Sequence, residues 1–91
     1  MSPDEMKEKA VQLMNDSFHW SQAVLSVGQE KLGVNDPDII KAVGLFGGGI
    51  AGTGNVCGAM LGGIACISSQ CSRGDLSEKE SPKMFKLGHM L

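Results

Sequence analysis

Three cysteines, Cys57, Cys66 and Cys71, and two histidines, His19 and His89, are the residues of this 91-residue chain with the widest capacity for redox or metal chemistry. Cys57 is set apart by its surroundings. It lies in Phe46–Gly62, FGGGIAGTGNVCGAMLG, where a glycine-rich loop runs into an apolar segment. Cys57 stands two residues after Asn55 and four after Thr53, and either can cap a helix, so the spacing puts the thiol in a first helical turn. Free N–H groups and the helix dipole at such a position favour the thiolate, the reactive form of cysteine. The plainer alternative is a small buried hydrophobe, the commoner fate of a cysteine without partners.

The loop itself admits more than one reading. Gly47 to Gly52 formally match GxGxxG, but that fingerprint carries meaning only after a strand and within a βαβ unit. A helix precedes it here, so a dinucleotide fold is not expected. What remains is a run in which Gly47, Gly48, Gly49 and Gly54, with Asn55, can offer backbone N–H groups to an anion or a cofactor. Alternatively, the glycines only permit a tight turn and close helix contact.

The other candidates are less favoured by position. Cys66 lies nine residues beyond Cys57, about 180° around an ideal helix, so it faces away. Cys71 returns to nearly the same face, but roughly 20 Å along the axis. A metal or iron–sulfur centre using Cys57, Cys66 and Cys71 would therefore need ligands from elsewhere or from a second copy, and Cys66-x4-Cys71 is a poor zinc spacing. His19, near the start of a helix, is a ligand or proton carrier on one reading and a capping or solvent-facing residue on the other. His89 stands near the terminus without companions. No Ser/His/Asp order, HExxH, CxxCH or paired carboxylates suggest a hydrolase or a covalent haem, and nothing in the sequence marks a base for Cys57, so a stand-alone enzyme is not expected.

These residues must be held by helices. Ser2-Pro3-Asp4-Glu5 reads as a capping box opening a first helix, with Met6, Ala10, Leu13 and Met14 at helical spacing, that ends near 15–17. Asp16 or Ser17 can cap a second, with Trp20, Ala23, Val24 and Val27 on one side and Gly33 as its left-handed stop after Leu32. Asp36-Pro37-Asp38 starts a third, whose apolar face is Ile39, Ile40 and Val43 and which Gly44–Gly49 end. A fourth helix, capped by Thr53 or Asn55, runs to about Ser69. Arg73-Gly74-Asp75 is a polar turn, and Ser81-Pro82 starts a last helix with Met84, Leu87, Gly88 and Leu91 spaced three or four apart. Nothing alternates at period two. The expectation is one all-α domain over residues 1–91, a compact bundle of four or five short helices with a glycine-rich loop before a buried central helix.

Composition narrows the partners. The net charge is −2, with eight basic residues among ten acidic ones, and nucleic acid would want a basic stripe. No charge lies between Lys41 and Arg73, a stretch long enough for the ~20 residues of a membrane span. Glycines break its first half, however, and the apolar run from Val56 to Ile67 is too short to cross, so no span is expected. The opening MSPDEMKEK has no apolar h-region, and an odd count of three cysteines without CxxC fits reduced thiols, so a cytoplasmic protein is expected. At 91 residues the core is short on area, and a homodimer would help it, with Gly58, Gly62 and Gly63 permitting close approach of a copy.

The stretch Phe18–Gly62 resembles the redox-active proteins named for their C_GCAxxG_C_C cysteine pattern. The matching residues are His19-Trp20-Ser21-Gln22-Ala23-Val24-Leu25, then Phe46-Gly47-Gly48-Gly49-Ile50, then Gly54-Asn55-Val56-Cys57-Gly58-Ala59-Met60-Leu61-Gly62, with Leu32-Gly33-Val34 as the linker. The resemblance implies redox or electron-transfer chemistry centred on Cys57, with a redox partner protein. The family's first cysteine falls at Trp20, and its last two lie further downstream, so only Cys57 carries over by position. The pairing of positions 20 and 57 implies that Trp20, and with it His19, lies beside the Cys57 turn. Two other classes stay open: a structural or assembly module that pairs through its central helix, and a small-ligand or anion binder using the Gly47–Asn55 loop.

Overall fold

The structure, a computed structural model, describes residues 1–54 and 57–91. Among these residues there are five α-helices and no strand. Helix α1 spans Pro3–Asn15, and Ser2 Oγ accepts the Glu5 N–H at 3.2 Å, the cap its sequence calls for. Helix α2 spans Trp20–Leu32 and closes on Gly33 at φ 73°, the left-handed stop expected there. Helix α3 spans Pro37–Ala42, with Asp36 Oδ1 accepting the N–H groups of Asp38 and Ile39. A single 3₁₀ turn, Gly44–Phe46, leads into the glycine loop, and α4 (Gly58–Cys71) and α5 (Met84–His89) complete the chain.

Four boundaries differ from the sequence reading. The residue that caps α2 is His19, not Asp16 or Ser17, because the chain makes a turn at Ser17 with φ 87° before the helix begins. Helix α4 starts at Gly58 with Cys57 as its cap residue, so Thr53 is not its cap; Asn55, the other candidate, and Val56 lie outside the described residues. Helix α5 begins at Met84 rather than at Pro82, since Ser81 and Lys83 form a turn ahead of it. Helix α4 also runs on to Cys71, two residues past Ser69.

The buried centre is α2, not α4. Ala23 and Val27 face α1, where they join Ala10 in a core lined by Met6, Leu13 and Phe18. Ser21 and Leu25, each with no exposed surface, lie on the opposite face. One helix buried on both sides explains why its apolar pattern reads as weakly one-sided. Its polar buried residues are structural: Gln29 donates to the Asp36 carbonyl at 3.1 Å and accepts its N–H at 3.2 Å, and Ser21 Oγ donates to the Val43 carbonyl at 2.8 Å. Gln22, between them on α2, accepts the His19 N–H and donates to the Ile40 carbonyl. These bonds fix α3 and the 3₁₀ turn against α2, which sets where the glycine loop must begin.

Helix α4 meets α2 through glycine. Gly58 and Gly62 are its two buried residues, one turn apart, and a Cβ on Gly62 would be driven into the carbonyl of Ser21. The two backbones therefore approach each other closely at this point, with no room for a side chain between them. The glycines expected to meet a second copy are already used within the chain: Gly58 and Gly62 by α2, and Gly63 by Leu91, whose Cδ1 would stand 3.5 Å from an added Cβ. Further along, Gly28 of α2 accommodates Cys66, whose Sγ would lie 2.6 Å from a Cβ at that position. A double-mutant cycle tests this contact: Gly28→Ala should cost about 1–2 kcal/mol in the wild-type background and much less in Cys66→Ala, where the obstructing sulfur is gone. Additive effects in urea denaturation would show that the two residues do not press on each other.

Among the described residues no helix is long and apolar enough to cross a membrane.

Candidate functional site

The site is a junction of two helix starts and one loop. Helix α2 begins at Trp20 and α4 at Gly58, and the first residues of the two helices are neighbours: a Cβ on Gly58 would lie 3.6 Å from the Ser21 nitrogen, 3.2 Å from the Phe46 carbonyl and 3.7 Å from Gly47 Cα. Cys57 directly precedes this contact on one side and Trp20 on the other. The starts of α2 and α4 therefore meet at Ser21 and Gly58, each one residue along from the positions the resemblance pairs. Trp20 fills its place as a side chain 41% exposed.

Cys57 is exposed at the cap position of α4, and its own side chain makes no cap bond to the helix's N–H groups. It is placed at the edge of the helix rather than within its first turn. The buried-hydrophobe alternative does not describe it. Cys66 and Cys71 are half-buried, and all three cysteines are free. Cys71 ends α4, so the length of the helix separates it from Cys57 by roughly 20 Å at 1.5 Å per residue. Among the described residues no group of three or more His, Cys, Asp or Glu is gathered that could hold a metal ion.

Burial pushes the Cys66 thiol above its ordinary value of 9.0. The folded chain then keeps the Cys66 proton at a pH where the unfolded chain has released it. Stability from this group is complete below about pH 9 and is lost as pH rises through the higher folded value. Urea midpoints measured from pH 8 upward should fall, and Cys66→Ala should flatten the decline.

His19 is laid against the glycine loop. A Cβ on Gly47 would meet His19 Cγ and Nδ1 at 2.5 Å, so only glycine leaves room for the imidazole. His19 also lines a shallow cleft with Leu45, Gly48, Ala51 and Gly52, a lining that does not include Cys57. Gly47 is the common neighbour: the ring packs on it, and so does the start of α4. His89, at the end of α5, lines a different groove.

The loop has an unusual backbone. Gly48, Gly49, Ile50, Ala51 and Gly52 all have φ between 52° and 76°, a left-handed turn of five consecutive residues. It is closed by its own hydrogen bonds, from Ile50 N to Phe46 O, Ala51 N to Leu45 O, Gly52 N to Gly47 O, Thr53 N to Ile50 O and Gly54 N to Gly48 O. Thr53 Oγ1 adds bonds to the carbonyls of Gly49 and Ile50. The N–H groups of residues 50–54 are therefore spent inside the loop instead of being turned outward to an anion. Glycine makes this turn inexpensive at three of five places; Ile50 and Ala51 bear the cost, about 1–2 kcal/mol each. Ala51→Gly should accordingly raise stability by about 1 kcal/mol, seen as a higher urea midpoint, and a fall would show that residue 51 is not left-handed in solution.

Sequence reasoning missed Ser21 and Gln22, the residues that hold this junction together. Their signal was slight, two polar residues inside an apolar helix, each with a backbone partner distant in sequence.

What the fold and junction define is a small all-helical protein that presents one exposed thiol at a helix start, backed by a tightly closed glycine loop. The family model described as "Putative redox-active protein (C_GCAxxG_C_C)" matches residues 18–90, and the chain belongs to that family. The match extends past Gly62, where the resemblance seen in the sequence stopped, and takes in Cys66, Cys71 and α5. No curated protein and no solved structure matches the chain.

Proposed function

We propose that this chain is a thiol redox module that exchanges electrons with a partner protein through Cys57. The observation that carries the reading is the exposure of Cys57 at the start of α4, where its side chain makes no cap bond, within the family described as "Putative redox-active protein". The thiolate is the attacking species in disulfide exchange, and an exposed thiol is open to a client protein. The step is a displacement: Cys57 sulfur attacks one sulfur of a client protein's disulfide, a mixed disulfide forms, and the client's other sulfur leaves as a thiolate and takes up a proton. The client is half reduced, and the other half of its electrons must come from a second thiol. Such exchange suits a reducing compartment, in keeping with a cytoplasmic protein.

Trapping tests the reading. Reduced protein mixed with excess oxidised glutathione and acid-quenched at short times should carry glutathione first on Cys57, located by peptide mass spectrometry. Earlier labelling of Cys66 or Cys71 would remove Cys57 from the role. Anaerobic purification that yields a coloured protein with stoichiometric iron, lost in Cys57→Ser, would instead make the thiol a cluster ligand.

A further inference from the structure

Helix α5 lies along α4 without closing on it. Met84 and Gly88, one turn apart, are the two half-buried residues of this short helix, so they mark the side turned to α4. A glycine on such a side ordinarily lets two backbones approach, as Gly62 does against Ser21. Gly88 does not: a Cβ built there would meet no atom within 4 Å. The chain comes back to α4 only beyond the helix, where Leu91 rests beside Gly63. Between the two helices at Gly88 is a groove of about 180 Å3, walled by Ile64 and Ile67 of α4 and by Met84 and Phe85 of α5.

We infer that this groove is a binding site for a small uncharged ligand, a single aromatic ring or a branched aliphatic group of similar size. The size fits. An apolar cavity of about 150 Å3 admits benzene, so a groove of about 180 Å3 suits one ring with a small substituent. The chemistry fits as well. The wall is almost wholly apolar; it holds no Asp, Glu, Lys or Arg, and Ser68 and His89 are its polar members. A charged ligand would give up hydration for a surface that offers it no counter-charge. An apolar one covers surface that the fold leaves in water, since Ile64 is 42% and Phe85 68% exposed. The Phe85 ring and the Met84 thioether are both favourable neighbours for an aromatic group. Glycine at position 88 has no other account. It is a poor helix former, and here it neither takes a left-handed conformation nor admits a close neighbour. What its missing side chain does is keep the groove open.

This site is separate from the redox reading of Cys57. Cys57 precedes the start of α4, and the groove begins at Ile64, roughly two turns further along. Occupation fastens α5, which buries no residue of its own, to α4. The ligand therefore acts on the stability of the folded chain by mass action.

The test uses the full chain, with toluene as the probe. In methyl-resolved NMR the signals of Ile64, Ile67 and Met84 should shift and saturate as toluene is added, while those of the buried Leu25 and Val27 stay in place. Toluene should also raise Tm. Gly88→Leu, whose side chain has open space to fill, should keep the helical circular dichroism and raise Tm by roughly 4–8 °C without the probe. The same variant should lose the saturable shifts, and Gly88→Ala should weaken toluene binding several-fold. Wild-type shifts that rise without saturating overturn the inference. So does a Gly88→Leu protein that unfolds, or one that binds toluene as tightly as the wild type. If the Ile64 and Met84 signals move with protein concentration alone and toluene reverses the change, a second copy occupies the groove and the small-ligand assignment falls.

Discussion

Gly62→Ala should be the most damaging single-methyl change in this protein, lowering stability by about 2–3 kcal/mol. Alanine is the better helix former by about 1 kcal/mol, so propensity alone predicts the opposite sign. The clash outweighs it, because the new Cβ is driven into the Ser21 carbonyl, and neither partner can rotate away. The carbonyl is helical backbone and the Cβ is fixed rigidly to the backbone of α4, so α2 and α4 must separate along their contact, in the range of cost for an overpacked core. For a domain of this size that loss corresponds to a fall in Tm of roughly 10–20 °C. Gly63 is the internal control. Its Cβ would sit 3.5 Å from Leu91 Cδ1, an ordinary contact, so Gly63→Ala should be neutral or stabilising by up to about 1 kcal/mol. Thermal melts of the two neighbouring variants read the difference directly. Equal Tm values would mean that α4 does not approach α2 at Gly62.

The second large effect is chemical. Cys57→Ser should abolish disulfide exchange at the helix start while making the protein more stable. Cysteine makes no cap bond to the open N–H groups of α4, and serine is among the preferred residues at that position. The gain expected from the serine cap is about 1 kcal/mol, or roughly 4–8 °C in Tm. Loss of exchange together with a raised Tm is a combination that damaged folding cannot produce. A variant that loses exchange because it unfolds shows the reverse shift, and one that keeps full exchange returns the redox role to another cysteine. The poor cap also accounts for the choice of residue: a position that favours serine for stability carries cysteine, as a functional thiol would require.

Much of the architecture is local and was legible for that reason. Ser2-Pro3, Asp36-Pro37 and Gly33 act on backbone groups within a few residues, so the starts of α1 and α3 and the stop of α2 follow from chemistry the sequence displays. The start of α4 was placed too early because Thr53 looks like a cap. In the folded chain its hydroxyl is turned back to the loop carbonyls of Gly49 and Ile50. The His19 cap of α2 was hidden for a related reason, since its turn depends on Ser17 taking a left-handed conformation that favours glycine and asparagine. Leu25 and Ser21 did not stand out as core because one-sided periodicity cannot reveal a helix covered on two faces.

The sequence by itself determined that the chain is helical, where most of its helices end, that Cys57 sits where a glycine loop meets a helix, and that the chain belongs with the C_GCAxxG_C_C family. Each of these is fixed by short-range chemistry or by a contiguous motif. Tertiary structure alone decided that α2 is the buried centre, that Gly58 and Gly62 are used inside the chain, and that the start of α4 meets α2 at Ser21. It also decided that the loop's N–H groups from residue 50 to 54 close on the loop itself. These depend on which surfaces meet across distant parts of the chain, and a glycine gives no sign in sequence of which backbone will approach it.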